Sequence, residues 1–227
     1  MKTIKMLLLT ILIFTITGCN LSINSEVYVK DIIDVDSMKK PLLTPVVLKI
    51  PISSSNTEKC NENKNTLLPI IQKYHSLPIT FKGCLKEGYD NYMNLELDTQ
   101  VTNVNNKGNI SYEGLFSIAV EDTKKDNQLK LFLAASAIDL KNLSRDIKNK
   151  TYQDPKLDEM IVYIKISNDT RSDVTGWFGP GFIDGNPEVS PSEKVLKRRD
   201  SVTIKLGDVQ TAYLVKNGFI TLGYMKK

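Results

Sequence analysis

Residues 92–101, Tyr-Met-Asn-Leu-Glu-Leu-Asp-Thr-Gln-Val, alternate strictly: Leu95, Leu97, Thr99 and Val101 fall on one face, Glu96, Asp98 and Gln100 on the other. A side-chain period of two belongs to a strand with one face in a core and one in water, the pattern of antiparallel sheets. Any fold open to this chain must therefore supply a sheet with a wet face. Residues 23–29, 79–84, 129–135 and 160–167 are further alternating or apolar strand candidates. Residues 46–52 make another, and Pro51 points to a sheet edge or to the end of a strand. Asn105-Asn106-Lys107-Gly108 reads as a turn into a partner strand over 109–120. Residues 174–183, 194–206 and 218–224 complete the set.

Three segments show helical spacing instead. Leu67, Leu68, Ile70, Ile71 and Tyr74 form one, with Pro69 tolerable only in a first turn. Ile138, Leu140, Leu143 and Ile147 form the second, and residues 208–216, capped by Asp208 and ended by Asn217-Gly218, the third. Residues 31–40 and 53–64 are polar and read as loops. The expected fold is α+β, a mainly antiparallel sheet with about three short helices. A boundary near 153–158 would divide an α+β region, residues 19–152, from a β-rich C-terminal lobe, residues 153–227.

The N-terminus is organised differently. Lys2 and Lys5 precede an apolar run over 6–16, too short to span a bilayer at the ~20 residues a helix needs. A leader over residues 1–18 is the better reading. Ile16-Thr17-Gly18-Cys19 resembles the lipobox of bacterial lipoproteins, with Ile16 where that family prefers Leu. The resemblance implies cleavage before Cys19 and acylation of its thiol, by palmitate or a similar chain. Two or more chains anchor stably, at about 0.8 kcal/mol per buried methylene. Asn20 after the cysteine fits that family's route to the outer membrane, facing the periplasm of a Gram-negative envelope.

Cys60 and Cys84 remain, and an even pair in an exported chain reads as a disulfide. A cysteine–histidine metal site is short of ligands, since His75 is the only histidine. Without Lys2 and Lys5 the charge of +4 falls to about +2, which makes no electrostatic case for nucleic acid. The expected partners are the membrane, through the lipid, and an envelope protein or lipid.

No constellation for catalysis, metal or cofactor stands out. His75 has no nucleophile motif beside it and reads as a surface or helix-capping residue. Glu96 and Asp98 share a polar strand face, where a glycosidase would set one carboxyl in apolar surroundings. Asp169, Arg171 and Asp173 lack the glycine and final glutamate of a calcium loop and read as a turn with local ion pairing. No phosphate-binding glycine loop occurs. Lys197-Arg198-Arg199 is the densest basic run. It suits a protected strand edge, or contact of Arg198 and Arg199 with lipid headgroups or an acidic partner. Trp177, Phe178 and Phe182, set among glycines and a proline, have the composition of a binding hot spot, or of a core tryptophan beside a bulge.

With Glu26-Val27-Tyr28, Leu68-Pro69 between the two cysteines, Asn168-Asp169-Thr170 and Leu196-Lys197-Arg198-Arg199-Asp200, the chain resembles uncharacterised bacterial lipoproteins carried on prophages or plasmids. That resemblance implies no catalytic residues, and it suggests a role in modifying the host surface. The expected function is a membrane-anchored, non-enzymatic binding module. The alternatives are a carrier of a lipid or small apolar ligand, and an envelope hydrolase.

Overall fold

The computed structural model describes residues 20–104, 113–124, 127–151 and 155–227. Cys19 with the leader expected before it, the turn expected at Asn105 to Gly108 and the start of the strand expected over 109–120 lie outside the described residues. In chain order the elements are β1 (Ser22–Tyr28), α1 (Val29–Met38), β2 (Leu42–Ile52), α2 (Thr57–Gln72), β3 (Ile79–Glu87) and β4 (Asp90–Asn103). Then come β5 (Phe116–Asp122), β6 (Gln128–Ala135), α3 (Ala137–Thr151), a 3₁₀ turn (Leu157–Glu159), β7 (Ile161–Ser167), β8 (Val174–Phe178) and β9 (Gly181–Ile183). β10 (Asn186–Glu188), β11 (Ser192–Leu196), β12 (Ser201–Lys205), α4 (Asp208–Asn217) and β13 (Phe219–Lys226) follow.

All these strands join one sheet, in the order β10-β9-β12-β7-β1-β2-β4-β5-β6-β13-β8-β11, with β3 also paired to β4. The sheet curls until its ends approach through β11 and β12, a nearly closed barrel with four helices. The mainly antiparallel α+β sheet with about three short helices is thereby overturned. Two pairings are parallel, β1 with β7 and β4 with β5. β4 explains the second. β2 occupies one edge over its whole length, while β3 takes Asp90 to Leu97 of the other edge and β5 takes Gln100 to Asn103. About a dozen residues separate β4 from β5, enough for a crossover, which parallel pairing needs.

The extra helix is α1, in the stretch that reads as a loop. Only Val29, Ile32 and Val35 are buried along it, and aspartates intervene. The missing signal is supplied from elsewhere in the chain. α1 has no side-chain cap of its own, but Asp169 Oδ1 accepts the Lys30 N–H at 3.0 Å, and Asn103 Nδ2 donates to the Val35 carbonyl. β2 is a central strand and not an edge, and Pro51 stands at the end of that strand, next to its last residue Ile52. Pro45 and Pro51 sit just outside the four positions, Val46 to Lys49, that β1 pairs with, so β2 carries two residues without an N–H.

The β-rich C-terminal lobe is not set apart. β7 pairs with β1 and β13 with β6, and Ile23, Leu95, Leu143, Ile164, Phe178 and Leu214 belong to one apolar core. α2 begins well before the expected helix, capped by Asn56, whose Oδ1 accepts the Lys59 N–H at 2.8 Å; Pro69 lies in its interior. The Cys60–Cys84 disulfide is present, with Cα atoms 5.8 Å apart, and ties α2 to β3. In the chain-entropy view a loop of this length contributes roughly 3–4 kcal/mol. α4 matches its expected span, and the left-handed Gly218 (φ 83°) ends it.

Closure leaves a seam between β12 and β11, which the chain crosses at 168–173, 179–180, 189–191 and 197–200. Asn168, 1% exposed, holds that seam. Its Nδ2 donates to the Leu196 and Ser172 carbonyls at 2.8 and 2.9 Å, and its Oδ1 accepts Thr170 N–H at 3.0 Å and Thr170 Oγ1–H at 2.7 Å. Its backbone N–H donates to Asp200 and its carbonyl accepts Arg199 N–H, both at 2.8 Å. A buried group left without a partner costs about 1–3 kcal/mol. Asn168→Ala should therefore lower unfolding stability by about 2–4 kcal/mol in a urea titration, and Asn168→Asp by more, because a carboxylate would face two carbonyl oxygens. Loss of under 0.5 kcal/mol in both variants would show that the seam is held by other contacts.

Candidate functional site

The strands β12, β7, β1, β2 and β4 turn alternate residues away from the core, and their register lines these up in rows. One row runs Lys205, Tyr163, Asn24, Val47, Glu96 and Thr80, each opposite the next. Phe182 of β9 extends it beyond Lys205. A neighbouring row holds Thr203, Lys165 and Glu26. Between them lies a groove of about 500 Å³, with Pro45, Val47 and Tyr163 as its apolar part. That volume is of the size that holds small ligands, ~300–1,000 Å³.

Its carboxylates are paired. Glu26 Oε1 accepts from Ser167 Oγ at 2.6 Å and from Lys165 Nζ at 2.9 Å. These contacts, the Ser167 hydrogen bond foremost, hold the Glu26 carboxyl below its ordinary range. Glu96 pairs with Lys82 Nζ at 2.9 Å. At the other end Lys205 Nζ stands 5.7 Å from the Tyr163 ring centre and 5.6 Å from that of Phe182, within cation–π range. The groove thus offers an apolar floor between two ion pairs, with an aromatic-flanked cation at one side. A carboxyl kept ionised, as Glu26 is, is the reverse of what proton donation to a leaving group needs. Among the described residues no group of three or more His, Cys, Asp or Glu side chains is placed to hold a metal ion.

Of the residues singled out in the sequence, Glu96 and Phe182 belong to this face. Phe182 is 37% exposed, whereas Phe178 is fully buried in the core. Trp177 is half-buried on β8, opposite Glu193 and Tyr224, at the far end of the sheet order from Phe182. The aromatic run is therefore divided across the seam and forms no single cluster. Arg198 and Arg199 are exposed, and the long strand expected there is broken into β11 and β12 with these residues in the turn. Asp169 caps α1, and the local ion pairing expected around Arg171 is absent among the described residues. Asn24, Val47, Tyr163 and Lys165 carry no mark in the sequence beyond alternation; the strand register alone brings them together.

His75 is neither at the surface nor a helix cap. It is 2% exposed, where the edge of β4 passes from β3 to β5. Its Nε2–H donates to the Asp98 carbonyl at 2.9 Å and its Nδ1 accepts the Leu115 N–H at 3.2 Å. These partners fix the neutral tautomer, because a carbonyl needs a donor and an N–H an acceptor. Gly114 makes room: a Cβ there would lie 2.4 Å from the ring. Burial pushes the imidazole below its ordinary value of 6.5. A base with a depressed folded value stabilises the fold fully above about pH 6.5, and that contribution fades as pH falls below it. Urea midpoints should drop between pH 7.5 and 5.5 in the native chain. His75→Ala should be less stable at pH 7.5 and lose much of this slope; an equal slope in both would remove His75 as its source.

The chain belongs to the family described as Domain of unknown function (DUF7424), which matches residues 21–227. No curated protein matches the chain. No solved structure matches it.

Proposed function

We propose that this family member is a lipid-anchored envelope lipoprotein that acts as a non-enzymatic binding module, with the outward groove as its binding site. The observation that carries the binding part is the apolar floor of Pro45, Val47 and Tyr163, set between the Glu26–Lys165 and Glu96–Lys82 pairs. An apolar centre with a charged, solvated rim is the anatomy of a recognition surface. The lipobox resemblance at Ile16 to Cys19 supports the anchor, and placement in the outer membrane, facing the periplasm, follows the same resemblance. Among the described residues no helix is long and apolar enough to cross a membrane. The resemblance to prophage- and plasmid-borne lipoproteins supports a role at the surface of the host cell.

The occupant is an apolar side chain of an envelope protein, or a small molecule with an apolar body. Val47→Lys would place a charge on the floor without touching the core-facing side of β2. In native mass spectrometry of the chain isolated from cell envelopes, a bound small molecule or co-purifying protein present in the wild type should be lost in Val47→Lys. An occupant retained equally by both would show that binding lies elsewhere. Labelling cells with a clickable palmitate analogue tests the anchor separately: the wild type should be labelled and Cys19→Ala should not, and equal labelling would remove Cys19 as the attachment point.

A further inference from the structure

The seam gathers basic side chains that are distant in sequence. Arg171 lies between β7 and β8, Arg198 and Arg199 form the turn between β11 and β12, and all three are exposed. Asn168 binds the two segments together, through Leu196 and Ser172 by its side chain and through Arg199 and Asp200 by its backbone. The site is therefore a rigid corner and not two loose loops. Among the described residues none of the three guanidinium groups has an ion-pair partner. Two of the nearby carboxylates are committed to backbone, Asp169 to the Lys30 N–H and Asp200 to the Lys197 N–H. Asp173 of the same loop as Arg171, and Asp31, close enough to Asp169 for their charges to interact, set two further carboxylates beside the arginines. Attraction at this corner is short-range and directed, the kind that planar guanidinium forks exert on carboxylates.

Register also places the corner. β1 leaves Asn20 at the end of the sheet where Ser22 faces Ile161, and the corner lies beyond the opposite end, where Tyr28 and Ser201 face Ser167. Seven residues of strand at ~3.3 Å each separate the two ends by about 20 Å. We propose that Arg171, Arg198 and Arg199 dock the carboxylates of an acidic segment of a partner protein. The orientation rests on the lipid-anchor reading: a chain tethered immediately before β1, with its strands standing upright on the bilayer, carries this corner at the end away from the membrane, on the aqueous side. The small net charge of the whole chain argues against a polyanion such as nucleic acid, which would need a broad basic face.

The test uses the full chain in an uncharged detergent and an oligoglutamate peptide as probe. Binding should be salt-sensitive and should weaken about tenfold or more in Arg198→Gln/Arg199→Asn, where tenfold corresponds to about 1.4 kcal/mol. Asn is chosen at 199 because Arg199 has a left-handed backbone (φ 70°), which Asn adopts readily. Replacing both with Lys, which keeps charge but loses the fork, should give a smaller loss. Arg171→Gln should weaken binding as well, since only the folded corner brings it alongside. Unchanged affinity in the double variant or in Arg171→Gln overturns the proposal. So does equal, arginine-dependent retention of the Cys19→Ala chain on vesicles of phosphatidylcholine with phosphatidylglycerol, which would assign the corner to lipid headgroups. The peptide result does not depend on acylation, so failure of the anchor, read by palmitate labelling, is told apart from failure of the corner.

Discussion

A sheet that curls on itself must satisfy its backbone wherever its pairing is interrupted, and this barrel meets that demand with two buried polar side chains. His75 stands where β4 exchanges one neighbour for another, giving a donor to Asp98 and an acceptor to Leu115. Asn168 stands where the two ends of the sheet meet, giving donors to Leu196 and Ser172 and an acceptor to Thr170. Each replaces hydrogen bonds that an uninterrupted ladder would have made. In a low-dielectric interior an unpaired carbonyl or N–H is costly, so these positions are constrained in both residue type and protonation. The only histidine of the chain is thereby committed to architecture, as a neutral ring packed on Gly114.

The same curling creates the surfaces that face outward. Because β1, β2, β4, β7 and β12 lie in strict register, a single row across them carries a lysine between two aromatic rings, an apolar floor and a paired carboxylate. Ion pairing of Glu26 with Lys165 and of Glu96 with Lys82 neutralises the carboxylates of the rim, so an apolar group can approach the floor without facing a bare carboxylate. At the seam the chain crosses four times, and the crossings at 168–173 and 197–200 are held to one another through the buried Asn168. Groove and arginine corner differ in chemistry, one apolar and one cationic, and they occupy different parts of the molecule.

Much of the local structure was legible in the residues. The alternation of 92–101 identified β4 and its wet face, the even cysteine pair identified the disulfide, and the spacing in 208–216 with Gly218 identified α4. Failures came where a distant residue supplied the missing term. α1 is capped by Asp169, well over a hundred positions away, so its own aspartates read as a loop. Residues 194–206 read as one strand because nothing in that stretch announces that Asn168 will hold a turn inside it. The aromatic run of Trp177, Phe178 and Phe182 looked like one patch, but Phe178 turns into the core and the seam divides the other two.

Taken alone, the chain's order of residues determined which segments extend and which coil, and which face of each is apolar, because those properties depend on side chains a few positions apart. Which strand lies beside which was decided only in three dimensions. Alternation is satisfied equally well by any neighbour, parallel or antiparallel, and the choice falls to long-range burial and to the few buried polar groups that must find partners. The groove and the arginine corner are products of that choice, since each is assembled from residues that only strand register and closure of the barrel bring side by side.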